Sequence, residues 1–286
     1  MLLLSGVLRM SEIPDVHREF PKYRIPLDKV GIQGVEAKIT IYNNECREYD
    51  VSLNIYVDLP SNMRGIHLSR LTSCLKDCLE NCKPNSLKNF LELLAKKIMD
   101  VYVEIRRVEI DLETKDYIDY MEPFEIKYVI HRERGNSVKW DELTIKLIGL
   151  TACPCAQRVY SYFENTLLQN TPTHMQRTIL EVKIKSKEIN IDPLKLANSL
   201  YESFSSPIKT VLKRIDEYKL IKKALSKPLF VEDVVRESLA IIYKHSNLLD
   251  NDSMIIVKVY SMDSIHPFNV YSEARYTLND LRKFFE

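Results

Sequence analysis

The stretch Thr151-Ala152-Cys153-Pro154-Cys155-Ala156-Gln157 sets two thiols on either side of a proline. Cysteine is a soft metal ligand and, once deprotonated, a strong nucleophile. The stretch follows an apolar run, residues 143–150, that reads as a buried strand. Proline fixes its own φ and biases the residue before it toward extended geometry. Residues two apart on an extended chain point to one side, so both sulfurs are expected to face one pocket at a strand end. The competing reading is a pair of small buried apolar side chains. Cys74, Cys78 and Cys82 recur every fourth residue and would stack along one helix face; without a fourth ligand nearby they read as buried packing. His17, His131 and His245 have no supporting neighbours in the sequence and receive no role.

The elements that must hold these groups follow from hydrophobic period and punctuation. A strand at 35–42 and a cleanly alternating one at 49–57 are joined by a turn at Asn43-Asn44. Helices follow at 68–81 and 86–99, the second capped by Ser86 with Leu87, Phe90, Leu91, Leu94 and Ile98 on one face. Strands at 101–112 and 124–132 complete a ββααββ order. The second half repeats that order with strands at 143–150 and 178–184, helices at 194–204, 208–214 and 231–243, and strands at 254–260 and 271–278. No residue-level repeat accompanies it. The implied fold class is α+β: two antiparallel sheets, each covered by helices on one face. Their bare edges call for closure by another subunit.

Composition sets the outer bounds. A chain of 286 residues holds one large domain or two ordinary ones. A net charge of +1 gives no argument for bulk nucleic-acid or membrane binding. Six cysteines in a chain of this length and charge are not a disulfide framework and point to a reducing, cytoplasmic setting. No apolar run approaches the ~20 residues needed to span a bilayer. The opening residues 1–4 are too short for a signal peptide, and Met10 is a candidate start.

Taken together the motifs resemble the type IB GTP cyclohydrolases, in the form seen in archaeal members. The Cys153-Pro154-Cys155 stretch looks like that family's C-P-C signature. Arg64-Gly65-Ile66-His67-Leu68-Ser69-Arg70 resembles its R-G-x-H-x-S-R, and His174-Met175-Gln176-Arg177 its H-x-Q-R. Glu202 and Glu217 fall where it carries two acids, and Phe230 to Arg236 and Ser264-Ile265-His266 complete the series from about Val30 onward. Many such motifs in one order are specific where each alone is weak. The segment between Cys155 and His174 is longer here than in many bacterial members. Phe268 stands where many relatives carry a second histidine.

The resemblance implies the tunnelling fold, a bimodular chain of two ββααββ units whose subunits close into barrels. The expected organisation is an N-terminal extension at 1–29, a first module at 30–135 and a second at 136–286 carrying the C-P-C motif. It implies GTP as substrate, formate as a product and a dihydroneopterin phosphate, cyclic or triphosphate, in pterin synthesis. One divalent metal per site is expected on Cys153, His174 and Glu202, with His266 near it; such a donor set suits Fe(II), Mn(II) or Zn(II). Cys155, with Cys153, His174 and His266, is the catalytic candidate. Glu217 is the expected guanine anchor, since a carboxylate accepts from both N1–H and the 2-amino group; its alternative is a surface ion pair with Lys213 or Arg214. Arg64, His67, Arg70, Arg177, Lys213 and Arg214 are candidates for binding the substrate. A homo-oligomer, dimer or tetramer, with shared sites is expected. Two other readings stand: a tunnelling-fold nitrile reductase using Cys153 as nucleophile, whose downstream motif is absent, and a non-catalytic purine-binding metal protein.

Overall fold

The computed structural model describes residues 15–43, 46–135 and 140–285. Residues 1–4, Met10 and Asn44 of the expected first turn lie outside them. Strands β1 (Leu27–Tyr42) and β2 (Cys46–Leu59) form a long hairpin, followed by α1 (Leu68–Asn81) and α2 (Leu87–Val101). Strands β3 (Arg107–Ile118) and β4 (Glu122–Glu133) return across the sheet. The second half runs β5 (Trp140–Ala152), α3 (Pro154–Glu164), β6 (Met175–Ser186), α4 (Pro193–Leu200), the short β7 (Ser206–Pro207), α5 (Arg214–Ser226) and α6 (Val231–Lys244). It closes with β8 (Met254–Ser261), β9 (Val270–Thr277) and α7 (Leu278–Phe285).

The expected two sheets are one. β4 and β5 pair antiparallel from Glu125↔Lys146 to His131↔Trp140, giving the continuous order β1-β2-β3-β4-β5-β6-β8-β9. The neighbouring edges of the two halves satisfy each other's backbone groups, so neither remains bare. Only β1 and β9 remain as outer edges of that order.

Alternation decides the faces. Val51, Leu53, Ile55 and Val57 on β2, Ile110 and Leu112 on β3, and Leu180, Val182 and Ile184 on β6 are buried under the helices. The residues between them form the other face, a lattice of cross-strand ion pairs: Lys127 to Glu113 at 2.6 Å, Lys146 to Glu125 at 3.1 Å, Lys185 to Glu142 at 2.9 Å, Lys258 to Glu181 at 3.3 Å. Among the described residues no helix covers that face. Cys74 and Cys78 are buried and Cys82 half-buried, as packing along α1 requires.

Two boundaries differ from the sequence expectation. The strand expected at 101–112 begins at Arg107, because Val101 closes α2 and the Tyr102 N–H still donates to Ile98 at 2.9 Å. The helix expected at 208–214 does not form there: 206–207 pair with β5 and the next helix starts at Arg214. A helix after the C-P-C proline, α3, replaces expected extended chain.

Candidate active site

Cys153 ends β5 and caps α3. Pro154 takes the first helical position, where a missing N–H costs nothing and its fixed φ suits the turn. The Cys153 Sγ accepts from the Ala156 N–H at 3.4 Å. Cys155 therefore lies in the first turn of α3 and is exposed, while Cys153 is half-buried. This corrects the expectation that strand alternation turns both sulfurs to one side; the chain has already coiled between them.

His174 sits directly across from Cys153. The Cys153 N–H donates to the His174 carbonyl at 3.1 Å, and Thr173 Oγ1 donates to the Cys153 carbonyl at 2.7 Å. The long segment between Cys155 and His174 is taken up by α3 and a single 3-10 turn at Leu168–Asn170, so its length does not carry His174 away. His174 Nδ1 is held by Gln176 Oε1 at 3.0 Å and Ser264 Oγ at 3.2 Å. That orientation leaves Nε2 as the presented nitrogen.

Ser264 belongs to the loop after β8, which also carries His266. Asp263 Oδ1 accepts from the Ile265 and His266 N–H groups, both at 2.9 Å, and meets His266 Nδ1 at 3.1 Å. Burial pushes the Asp263 carboxyl up, but these bonds outweigh it and hold it below the usual carboxylate range. His266 thus also presents Nε2, with its ring stacked on Phe268 at 5.0 Å. A histidine steered at Nδ1 by an acceptor is the arrangement metal-binding histidines use.

Glu202 lies in a 3-10 turn, Tyr201–Ser203, clamped to the end of β5. Ser205 Oγ accepts from the Ala152 N–H at 3.1 Å, Leu150 pairs with Ser206, and Phe204 fills the space above Gly149. The Glu202 carboxylate itself is 68% exposed and pairs with Lys223 at 3.4 Å. Helix α5 is tied to α3 through Gln157, whose amide donates to the Leu225 carbonyl at 2.9 Å. Lys213, Arg214 and Glu217 are exposed around the start of α5. Among the described residues the Glu217 carboxylate has no ion-pair partner, so the surface pairing with Lys213 or Arg214 is not formed.

Strand direction therefore gathers Cys153, Cys155, His174, Arg177, Glu202, Glu217 and His266 toward one end of the sheet. Arg64, His67 and Arg70 lie toward the other, after β2 and at the start of α1. Strand β5 alone spans 13 residues between these ends, about 40 Å at ~3.3 Å per residue. One chain does not bring the two groups together.

At the far end Arg64 pairs with Glu19 at 2.8 Å, and the Arg70 N–H donates to the His67 carbonyl at 2.8 Å. His67 Nε2 meets Asp15 Oδ1 at 2.9 Å, and its ring lies 4.5 Å from that of His17. Among the described residues, Asp15, His17 and His67 are the one set of three His, Cys, Asp or Glu side chains whose ligand atoms converge within 4.8 Å. His17 has no sequence motif to mark it, since the ring beside it, His67, comes from a distant segment. The expected set of Cys153, His174, Glu202 and His266 does not converge to that spacing within one chain. A surface hollow of about 800 Å³ lies on the β2–β3–β4 part of the sheet around Arg47, Asp116 and Lys146 and holds none of these residues. Among the described residues no helix is long and apolar enough to cross a membrane.

Comparison with known proteins bears on the family and the fold. Residues 13–272 match the family described as type I GTP cyclohydrolase folE2. The chain is 27% identical over 281 residues to GTP cyclohydrolase MptA of Aeropyrum pernix, covering 94% of this chain and 97% of that one. It is 31% identical over 267 residues to GTP cyclohydrolase FolE2 of Pseudothermotoga lettingae, covering 90% and 96%. Among solved structures it is similar to uricase from Arthrobacter globiformis, with a TM-score of 0.58 at 10% identity over 88% of this chain and 93% of that one. At that identity the likeness speaks for the fold, which is the tunnelling fold.

Proposed function

The chain belongs to the type I GTP cyclohydrolase folE2 family, and from that premise we propose that it hydrolyses the guanine ring of GTP at C8, releasing formate and forming a 7,8-dihydroneopterin phosphate for pterin synthesis. The observation that carries this reading beyond the family is the pair of histidines, each held at Nδ1 so that Nε2 is left free, at the sheet end to which Cys153 and Glu202 also belong. Thiolate, two imidazoles and a carboxylate suit Fe(II), Mn(II) or Zn(II), with Fe(II) our first choice. When bound there, the ion supplies the Lewis acidity that makes water nucleophilic at neutral pH.

The chain's own residues do the rest. Glu217 accepts from guanine N1–H and the 2-amino group and so turns the imidazole edge of the base inward. Arg177, Lys213 and Arg214, with Arg64, His67 and Arg70, bind the phosphates and ribose. Ring opening and formate loss require protons to be moved at N7, C8 and N9. His174, His266 and the exposed Cys155 thiol are the groups within that end of the sheet able to carry them.

Arg64, His67 and Arg70 sit at the opposite end, so in this reading they act in the site of a neighbouring subunit. The bare edges of β1 and β9 and the uncovered polar face support a homo-oligomer that closes the sheet. The six free cysteines fit a reducing cytoplasm. The deciding experiment is anaerobic incubation with GTP and Fe(II), measuring formate, pterin fluorescence after oxidation, and phosphate content. Formate with a fluorescent pterin is expected, and the phosphate count identifies a cyclic phosphate or a triphosphate. Metal binding with no formate released would replace this reading with a non-catalytic purine-binding protein.

A further inference from the structure

We propose that Asp15, His17 and His67 form a second divalent-cation site, distinct in ligands and position from the one built around Cys153. Asp15 Oδ1 faces both rings, 2.9 Å from His67 Nε2 and 3.7 Å from His17 Nδ1. A tetrahedral ion with bonds of ~2.0–2.1 Å holds its ligand atoms about 3.4 Å apart, and these two separations bracket that value. The other carboxylate oxygen, Oδ2, is taken by Arg18 at 3.4 Å, which fixes Oδ1 toward the histidines. The His67 ring is 16% exposed, and its Nδ1 is buried without a hydrogen-bond partner. The ring is thus held with Nε2, not Nδ1, toward Asp15 Oδ1 and beside the ring of His17.

Two imidazoles and one carboxylate are the donors of borderline first-row cations, Zn(II) above all, and three protein ligands leave positions open to solvent. Asp15 and His17 are 40% and 49% exposed, so the open positions face water. The segment is anchored without metal, since the Arg64 and Gly65 N–H groups donate to the His17 carbonyl at 3.1 and 3.3 Å. An ion would fasten side chains onto a backbone contact that already exists. It would also sit in the segment that bears Arg64 and Arg70.

The test uses the full chain with Cys153→Ala, stripped by chelator and titrated with Zn(II). One equivalent per chain should bind, and adding His17→Ala or Asp15→Asn should weaken it by at least ~100-fold. Circular dichroism must show each variant folded; Asp15→Asn, nearly isosteric, serves if His17→Ala does not fold. With Co(II) in place of Zn(II) the Cys153→Ala chain should give a visible spectrum without thiolate charge transfer. Zinc retained at unchanged affinity in both variants, or no zinc bound once Cys153 is replaced, would overturn the site and leave Asp15–His67 a plain hydrogen bond. Loss of cyclohydrolase activity plays no part in either outcome, so this proposal and the assigned reaction fail separately.

Discussion

Glu217 stands out among the exposed acids because the bases beside it, Lys213 and Arg214, do not neutralise it. A carboxylate left unpaired in a cationic stretch is available for the donor edge of guanine. Adenine would set an acceptor against it and offer no 2-amino group, so the site should reject ATP. Glu217→Gln keeps the shape but turns one acceptor into a donor. GTP affinity should fall about 10- to 100-fold, the scale of a charge-assisted hydrogen bond, with metal content unchanged. Unaltered GTP affinity by titration would remove Glu217 from the site. At this scale motif order singled out Cys153, His174 and His266, and strand direction brings them toward one end of the sheet. The sequence was silent for His17, whose partner His67 meets it only after the chain passes through β1 and β2. It misled for Cys155, because a proline after a strand reads equally well as extended chain or as the first residue of a helix.

The elements matter to the site through their contacts at the end of β5. Gly149 lies under the ring of Phe204, and a Cβ there would come 2.2 Å from Phe204 Cγ. Gly149→Ala must push Phe204 away and, with it, the turn that carries Glu202. The overpacking should cost about 1–3 kcal/mol and lower metal retention along with the melting temperature; a variant that melts lower but keeps its metal would show that Glu202 does not depend on this clamp. On the bare face of the sheet, burial raises the Asp111 carboxyl above its usual range, against the pull of Lys127 and Lys29. A carboxyl whose folded pKa is raised binds more protons folded than unfolded, so its ionisation lowers stability as pH rises through that window. Asp111→Asn should therefore raise the melting temperature by a few degrees at pH 7, and the gain should fade as pH falls below the unfolded carboxyl's pKa of ~3.9, toward ~3, where folded and unfolded forms are both largely neutral. A gain that persists unchanged in acid would exclude this cause. Hydrophobic period located every long strand of this sheet. Its boundaries slipped where Val101, Val103 and Ile105 alternate like a strand while the backbone N–H of Tyr102 is still held by α2.

The whole molecule poses the question of how two motif clusters at opposite ends of one sheet can serve one substrate. Element order announced two half-sheets with helices on one side, and alternation in the strands announced a polar face. What no single-chain pattern could disclose is which end of each strand meets which, since that depends on the pairing across β4 and β5. With that pairing in place, Arg64 and Cys153 lie roughly the length of β5 apart, about 40 Å. If each site takes Arg64 from one subunit and Cys153 from another, two inactive variants can rescue each other. Arg64→Ala and Cys153→Ala should each lose nearly all activity alone. Co-expressed or refolded together in equal amounts, they assort at random, and a site is intact only when both its halves are. Half of the sites receive a good Arg64 end and half of those a good Cys153 end, so the mixture should recover about a quarter of wild-type activity. Sites built from one chain would never be intact in such a mixture, however the subunits assort. Activity no higher than that of the separate variants, in a mixture shown to contain hybrid oligomers, would therefore return all three far-end residues to a structural role.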